Sequence, residues 1–547
     1  MAFLDLLDLV GGLGRFQILQ TVFFVIATLF AYPHLQLENF TGAIPEHRCW
    51  VPLLDNHAVS DNDTELLSQE ALLRASIPLD SDLTPEKCHR FIHPQRQLLH
   101  LNGTFLTISE SDTEPCMDGW VYDQSSFYST IVTKWDLVCA SESLNSVVRF
   151  SVMTGMLLGG VFCGHLTDKF GRKLMLRFCL LLLGIAGTCT AFSPTFLIYC
   201  LLRFLSGVAI SVIISNSFLL ILEWTLPQFQ AMGVILVTSA GSIGQIALGG
   251  LAFFIREWHI LQMVFSVPFL IFFLSSRWLA ESARWLIITN KPEKGLKELR
   301  ETARRNGKNV EDTLTIEVVR STMKEELVAA QIKPSVCDSF QKPILRKRII
   351  LLSFVRFSNI MVFIGLNVHL QHFGSNIFLL QGFFGIANLL GNFVALLALN
   401  HLGRRGSQAM FCFTLGISIL SLTIMPQDME TLRMALSAFG GGLSSAATSS
   451  CVTHGNELLP TAIRATALGI ITIAGSIGAA LAPLIMIVRI YYVPLPWIIY
   501  GVCSILSGLA VLLLPETKNQ PLPDSIQDLE NERKTNQENS LIKVTQF

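Results

Sequence analysis

Charge is scarce in this chain. Only 15% of its 547 residues are Asp, Glu, Lys or Arg, against about 25% in an ordinary soluble domain. Such a deficit points to a lipid bilayer as the solvent. The few charges also cancel, to a formal net charge of -1, which argues against a nucleic-acid partner, since those proteins concentrate positive charge. The first 15 residues carry Asp5 and Asp8 and lack the basic n-region of a cleavable signal peptide. The first apolar run therefore reads as a retained span. The sequence also has no Walker-type phosphate loop and no pair of Cys or His motifs at zinc-ligand spacing. No ATP-driven pump, metal, cofactor or enzyme active site is expected.

Apolar residues make up 51% of the chain. A bilayer core needs about 20 consecutive, mostly apolar residues per helix. Runs of that kind fall near 16–36, 144–164, 174–193, 195–216, 231–254 and 259–279, then near 349–370, 377–399, 407–425, 431–453, 465–487 and 493–514. These predict twelve spans in an all-α membrane protein.

Two long polar segments interrupt the runs. The segment 37–143 holds Cys49, Cys88, Cys116 and Cys139 and the glycan acceptor triplets at Asn39, Asn62 and Asn102. An even cysteine count beside glycan acceptors suits the oxidising, extracellular side. Four cysteines allow three pairings, and the sequence leaves all three open. The segment 280–347 is dense in Lys and Arg, as are the short turns at Lys169–Lys173 and Arg404-Arg405. Basic residues near span ends favour the cytoplasm. The expected layout is a cytoplasmic N-terminus (1–15), a first six-helix half (16–279), a cytoplasmic linker (280–347), a second half (348–514) and a cytoplasmic tail (515–547).

Internal repetition is the most informative feature. Gly171-Arg172-Lys173 recurs as Gly403-Arg404-Arg405, Leu202-Arg203 as Leu432-Arg433, Glu223 and Pro227 as Glu457 and Pro460, and Glu281-Ser282 as Glu516-Thr517. All recur in the same order, roughly 232 residues later. Transporters built from two such repeats place the substrate near the midplane between them and rock one half against the other.

At these residues the sequence resembles the major facilitator superfamily, whose signature between spans two and three looks like Gly164-His-Leu-Thr-Asp168-Lys-Phe-Gly171-Arg172-Lys173. The finer resemblance is to the organic anion and cation transporter family, solute carrier family 22. It runs through Val10–Gln17, Leu37–Thr41, Thr130–Cys139, Glu281–Leu286, Asn456–Pro460 and Leu514–Lys518. Within that family the chain looks most like the organic anion branch, near its orphan liver and kidney members. The resemblance implies a plasma-membrane protein that moves amphipathic organic anions, such as steroid sulfates or glucuronides, independently of sodium and often in exchange for a counter-anion. A carrier of organic cations or zwitterions is the first alternative. A non-transporting receptor or scaffold is the second.

The charged repeats predict a cytoplasmic latch of Asp168, Arg172 and Lys173, with gate pairs among Arg203, Glu223, Glu281 and Arg284 and among Arg404, Arg405, Arg433, Glu457, Arg464 and Glu516. Lys169 stands where the superfamily usually has Arg, whose two-pronged bonding Lys lacks. An amphipathic anion needs an apolar, aromatic cavity with a few convergent donors. His34, Phe357, Phe363, Asn367 and Gln371 are the candidates in spans one and seven. Organic anion transporters carry a Lys in span eight and an Arg in span eleven; those positions align with Asn392 and Ser476 here. Both cations are replaced by neutral donors, leaving Arg356, expected at the inner end of span seven, and Arg489, at the outer end of span eleven. The C-terminal Thr545-Gln546-Phe547 has the form read by PDZ domains.

Overall fold

The computed structural model describes residues 2–55, 69–80, 84–93, 113–310, 313–324, 327–328, 342–373, 376–426, 429–460 and 463–518. Asn62, Asn102 and Thr545–Phe547 lie outside them. The chain forms two compact units: Met1–Asn39 with Ser146–Phe254 and His259–Phe547, and Phe40–Asn145 with Ile255–Trp258.

The first unit is helical. Among the described residues, eleven helices are long and apolar enough to cross a membrane: Arg15–Thr41, Cys139–Phe170, Arg172–Ala191, Phe196–Trp224, Met232–Phe254, Trp258–Trp278, Pro343–Val368, Ile377–Leu402, Arg404–Ile424, Thr466–Ile490 and Leu495–Leu512. A twelfth long helix, Glu430–Leu458, occupies the tenth place. Its 29 residues reach about 43 Å at 1.5 Å per residue. Gly440-Gly441-Gly442 and its many serines give it a less apolar composition than the others. Span numbers below follow this order.

Small residues set how closely the helices approach. A Cβ added at Gly155 in span two would lie 2.2 Å from the Phe204 carbonyl oxygen of span four, and one at Gly207 would lie 2.2 Å from that of Val152. The second half repeats the device: a Cβ at Gly391 in span eight would lie 2.1 Å from the Gly442 carbonyl oxygen of span ten. Without a hydrophobic drive between helices in lipid, such close backbone packing holds the spans together.

The polar segments contribute helices of their own. Ala2–Val10 buries Phe3, Leu6, Leu7 and Val10 in one core with Leu299, Ala303, Val310, Leu314, Val319 and Met323 of the linker. Asn306 clasps this junction: its side chain accepts from Phe16 N–H (3.0 Å) and donates to the Gln17 side chain (2.9 Å) and the Val10 carbonyl (3.2 Å).

The second unit adds β-structure to an otherwise helical fold. His47–Cys49 pairs antiparallel with Trp120–Tyr122, and His89–Phe91 with Thr113–Pro115. Of the three possible pairings, the structure forms Cys49–Cys116 and Cys88–Cys139.

Candidate functional site

The repeated motifs converge where the even-numbered spans finish. Gly171 has φ +107° and Gly403 φ +89°, a region open chiefly to glycine. At each turn a Cβ would collide with the same kind of atom, Glu281 Oε2 at 2.4 Å and Glu516 Oε2 at 2.8 Å. Those carboxylates accept the first N–H groups of the next span. Glu281 takes Arg172 N (3.0 Å) and Lys173 N (3.1 Å); Glu516 takes Arg404 N (2.8 Å) and Arg405 N (3.0 Å). An anion at a helix N-terminus satisfies orphan donors and the positive end of the dipole. The two caps sit in different surroundings. Burial pushes the Glu281 carboxyl above its usual range, against the Ser282, Lys173 and Arg172 amides. Burial acts upward on Glu516 too, but the amides of Arg404, Lys518, Thr517 and Arg405 outweigh it and hold this carboxyl low.

Arginines then tie these caps to the ends of spans four and ten. Arg172 lies 3.4 Å from both Glu223 and Asp168, and Arg404 binds Glu457 through Nε (2.9 Å) and NH2 (3.0 Å). Thr517 donates to Glu457 at 2.6 Å. Arg284 is exposed, with its charge in reach of Glu223. Lys173 Nζ donates to the Arg277 carbonyl, and Arg464 to that of Leu459. These described pairs close within each half; the Asp168 side chain is 75% exposed.

Two predicted gate residues do not belong here. Arg203 lies 20 residues before Glu223 on one helix, about 30 Å away. It is fully buried and pairs with Glu38 at 2.6 Å. Arg433 stands four residues into Glu430–Leu458, about 36 Å from Glu457 at 1.5 Å per residue.

At the opposite end, neutral amides join the two halves. Asn39 Nδ2 donates to the Asn367 carbonyl (2.9 Å) and the Gln381 side chain (3.1 Å), and Gln381 donates to Gln36 (2.6 Å). Asn367 Oδ1 accepts from Gln245 (3.1 Å) and Asn388 (2.9 Å). This corrects the glycan assignment at Asn39. Its amide nitrogen, the atom a glycan would occupy, is bonded inside a side chain only 1% exposed. His34 is corrected as well: it is fully buried, with Nε2 on the Phe265 carbonyl (3.2 Å) and its ring against Phe269. It packs spans one and six and does not face the second half.

Between the two ends lies Arg356. It is the fourteenth of the 26 residues of span seven, hence midway and not at the inner end. Its guanidinium donates to the Thr448 carbonyl (3.3 Å), its stem passes Gly475, and its charge reaches the Tyr32 phenol of span one. Among the described residues no carboxylate pairs with it. Asn392 accepts from Ser445 (3.1 Å) and Ser449 (2.6 Å), beside Thr448. Arg356, Asn392 and Gly475 of span eleven thus meet around the middle of span ten, with Phe357 half-buried next to Arg356. Ser476 Oγ bonds its own helix at Thr472. Phe363 is half-buried, and its carbonyl holds Asn367 Nδ2 (2.9 Å) nearer the amide network. Gln371 lies beyond the end of span seven. Sequence reading missed Gln36, Glu38, Gln245, Gln381 and Asn388. The cost of polar groups inside apolar spans was the signal that marks them.

Two six-helix repeats, with matching capped turns at one end and a polar junction at the other, define a multi-pass membrane protein built like a transporter. The family model described as Major Facilitator Superfamily matches residues 122–483. The chain is similar in fold to the partially occluded inward-open xylose transporter XylE from E. coli, with a TM-score of 0.59 at 17% identity, covering 93% of this chain and 100% of that one. It is 59% identical to human solute carrier family 22 member 10 over 98% of this chain and 99% of that protein. It is 60% identical to human solute carrier family 22 member 25 over 97% of each. It is 58% identical to the steroid transmembrane transporter SLC22A24 of Rattus norvegicus over the full length of both. The chain belongs to solute carrier family 22 of the major facilitator superfamily, and is a multi-pass membrane transporter.

Proposed function

We propose that this protein carries amphipathic organic anions, steroid sulfates and glucuronides foremost, across the plasma membrane by alternating access, independently of sodium and with a counter-anion available for exchange. The observation that carries this reading is Arg356, a cation at mid-span with no described carboxylate beside it. It takes over the electrostatic role vacated at Asn392 and Ser476, which supply neutral donors. At an effective dielectric of about 20, an anion about 4 Å from a cation gains roughly 4 kcal/mol before desolvation is subtracted. Tyr32 and Phe357 offer apolar surface for a steroid nucleus. The steroid transporters among the relatives support this substrate class.

In this reading the Glu281 and Glu516 end, the linker and both termini face the cytoplasm, and the disulfide-bonded unit faces outside with glycans at Asn62 and Asn102. Asp168 then latches the halves when the cytoplasmic end closes, and the tail offers a PDZ ligand. Uptake of labelled estrone sulfate into cells expressing the intact protein, beside R356Q and R356K, tests the assignment. Saturable uptake whose KM rises at least about tenfold in R356Q and is partly restored in R356K supports it. Unchanged KM in R356Q at equal surface expression refutes the role of Arg356. Uptake of cationic or zwitterionic solutes in place of the anion refutes the substrate class.

A further inference from the structure

Span seven begins with a basic stretch that the transport reading leaves unused. Ile344, Lys347, Arg348 and Leu351, in its first turns, lie three and four residues apart and so share one helix face. Opposite them runs the end of span twelve, Leu513, Leu514 and Pro515. Between the two faces the chain leaves a cavity of about 360 Å³.

The inner side of this cavity is apolar. Leu514 is buried in one core with Leu345, Ile349 and Leu458. Its mouth carries charge, for Lys347 is exposed and Arg348 half-buried. Around the mouth, Ile350, Leu512 and Leu513 turn apolar surface outward. The cavity lies at the first turns of one span and just past the last residue of another, hence where hydrocarbon gives way to water.

An apolar slot with two cations at its mouth, at that level, fits a molecule with the same two parts. A free phosphate meets the cations and leaves the leucine wall bare. A neutral alkyl chain meets the wall and leaves the cations without a counter-charge. A phospholipid of net negative charge uses both: its headgroup oxygens accept from Lys347 and Arg348, and its acyl chains run out over Leu513 and Ile350. The volume is near the lower end of the roughly 300–1,000 Å³ of small-molecule sites, which suits a headgroup without its chains. Lys and Arg clustered beside a span end attract anionic lipids. We propose that the cleft between the start of span seven and the end of span twelve binds the headgroup of one anionic phospholipid through Lys347 and Arg348.

This cleft adjoins the capped turn of the second half. Arg348 donates to the Leu458 carbonyl at 3.1 Å, and the neighbouring Glu457 holds Arg404. The Pro515 carbonyl accepts from His454 Nε2 at 3.0 Å, and Glu516, the cap of span nine, follows it in the chain. A headgroup drawn onto Arg348 braces these residues, and binding to the folded protein alone raises its stability. Which leaflet supplies the lipid follows from the sidedness proposed above; the binding itself does not depend on it.

Thermal unfolding of the purified full-length protein in detergent micelles doped with phosphatidylserine, against the same micelles doped with phosphatidylcholine, tests the site. Wild type is expected to gain stability from phosphatidylserine. R356Q is expected to gain as much, because Arg356 lies midway along the span, so this result is independent of any effect of Arg356 on uptake. One cation near a membrane surface changes the attraction about fivefold, so K347Q is expected to need about five times more phosphatidylserine for the same gain. R348Q is expected to lose more and R348K to keep most of the gain; K347Q serves alone where R348Q fails to fold. R346Q removes an exposed cation beside the cavity but outside its lining, and is expected to match wild type. A loss in R346Q equal to that in K347Q means a general attraction of the basic stretch for anionic surface and overturns the proposal. So does an equal gain from phosphatidylcholine, or a gain that inorganic phosphate reproduces, which assigns the cations to a free anion.

Discussion

Span eight carries two glycines whose replacement by alanine should act in opposite directions. Gly391 lies against span ten, where an added Cβ would sit 2.1 Å from the Gly442 carbonyl oxygen. An added Cβ in ordinary contact stands 3.4–4 Å from its neighbour, so the helices must part by more than about 1 Å along this seam. Overpacking of that kind costs about 1–3 kcal/mol, and the lost dispersion along the seam adds to it. Nine residues earlier, Gly382 has nothing within 4 Å of its added Cβ. There alanine only improves helix propensity, by about 0.5–1 kcal/mol. Heating detergent-solubilised protein and following the monomer peak by size exclusion measures both. G391A should melt several degrees below wild type, and G382A at or above it. Equal shifts, or a G391A protein as stable as wild type, would refute the claim that close glycine packing sets the span eight to span ten crossing. G155A belongs to the same test in the first half, where its Cβ meets the Phe204 carbonyl oxygen.

Acid should separate the two helix caps. The Glu281 carboxyl is raised above its ordinary 4.5, so the folded protein holds that proton more tightly than the unfolded chain. Its burial cost is present at neutral pH and relieved as pH falls through the raised value. The Glu516 carboxyl is held below 4.5, so its stabilisation is present above 4.5 and lost as pH falls through the lowered value. E516Q should thus flatten the acid side of the stability profile below 4.5, and E281Q should remove a gain on mild acidification; melting curves from about pH 2 to about pH 7 decide this. Asn39→Gln should leave the glycosylated band of the expressed protein unmoved before and after glycosidase treatment, because the Asn39 nitrogen is enclosed by Asn367 and Gln381. A faster-migrating N39Q band would show that the side chain carries a glycan.

The fold was largely legible because bilayer-spanning helices announce themselves by length and composition. The repeat was legible because both halves need the same device: a glycine turn with its N–H groups aimed at a distant carboxylate. Glu281 and Glu516 were found in sequence for that reason. Arg203 and Arg433 were misplaced because order along a repeat says nothing about depth. Counting 20 residues from Arg203 to Glu223 along one helix puts them on opposite ends. His34 and Asn39 were misread because burial depends on which neighbours arrive from other spans, here Phe265, Phe269, Asn367 and Gln381. The amide network escaped notice because its members are spread over four spans and no spacing links them.

That network has a bearing on energetics under a membrane potential. Moving one elementary charge through the field is worth about 2.3 kcal/mol per 100 mV. Gln36, Asn39, Gln245, Asn367, Gln381 and Asn388 carry no net charge in any protonation state found in cells. Breaking these bonds exchanges them for bonds to water and does no electrical work. The voltage across the membrane therefore leaves the strength of this junction untouched. Any dependence of transport on voltage must arise from the charge of the solute and from the arginines that move with it.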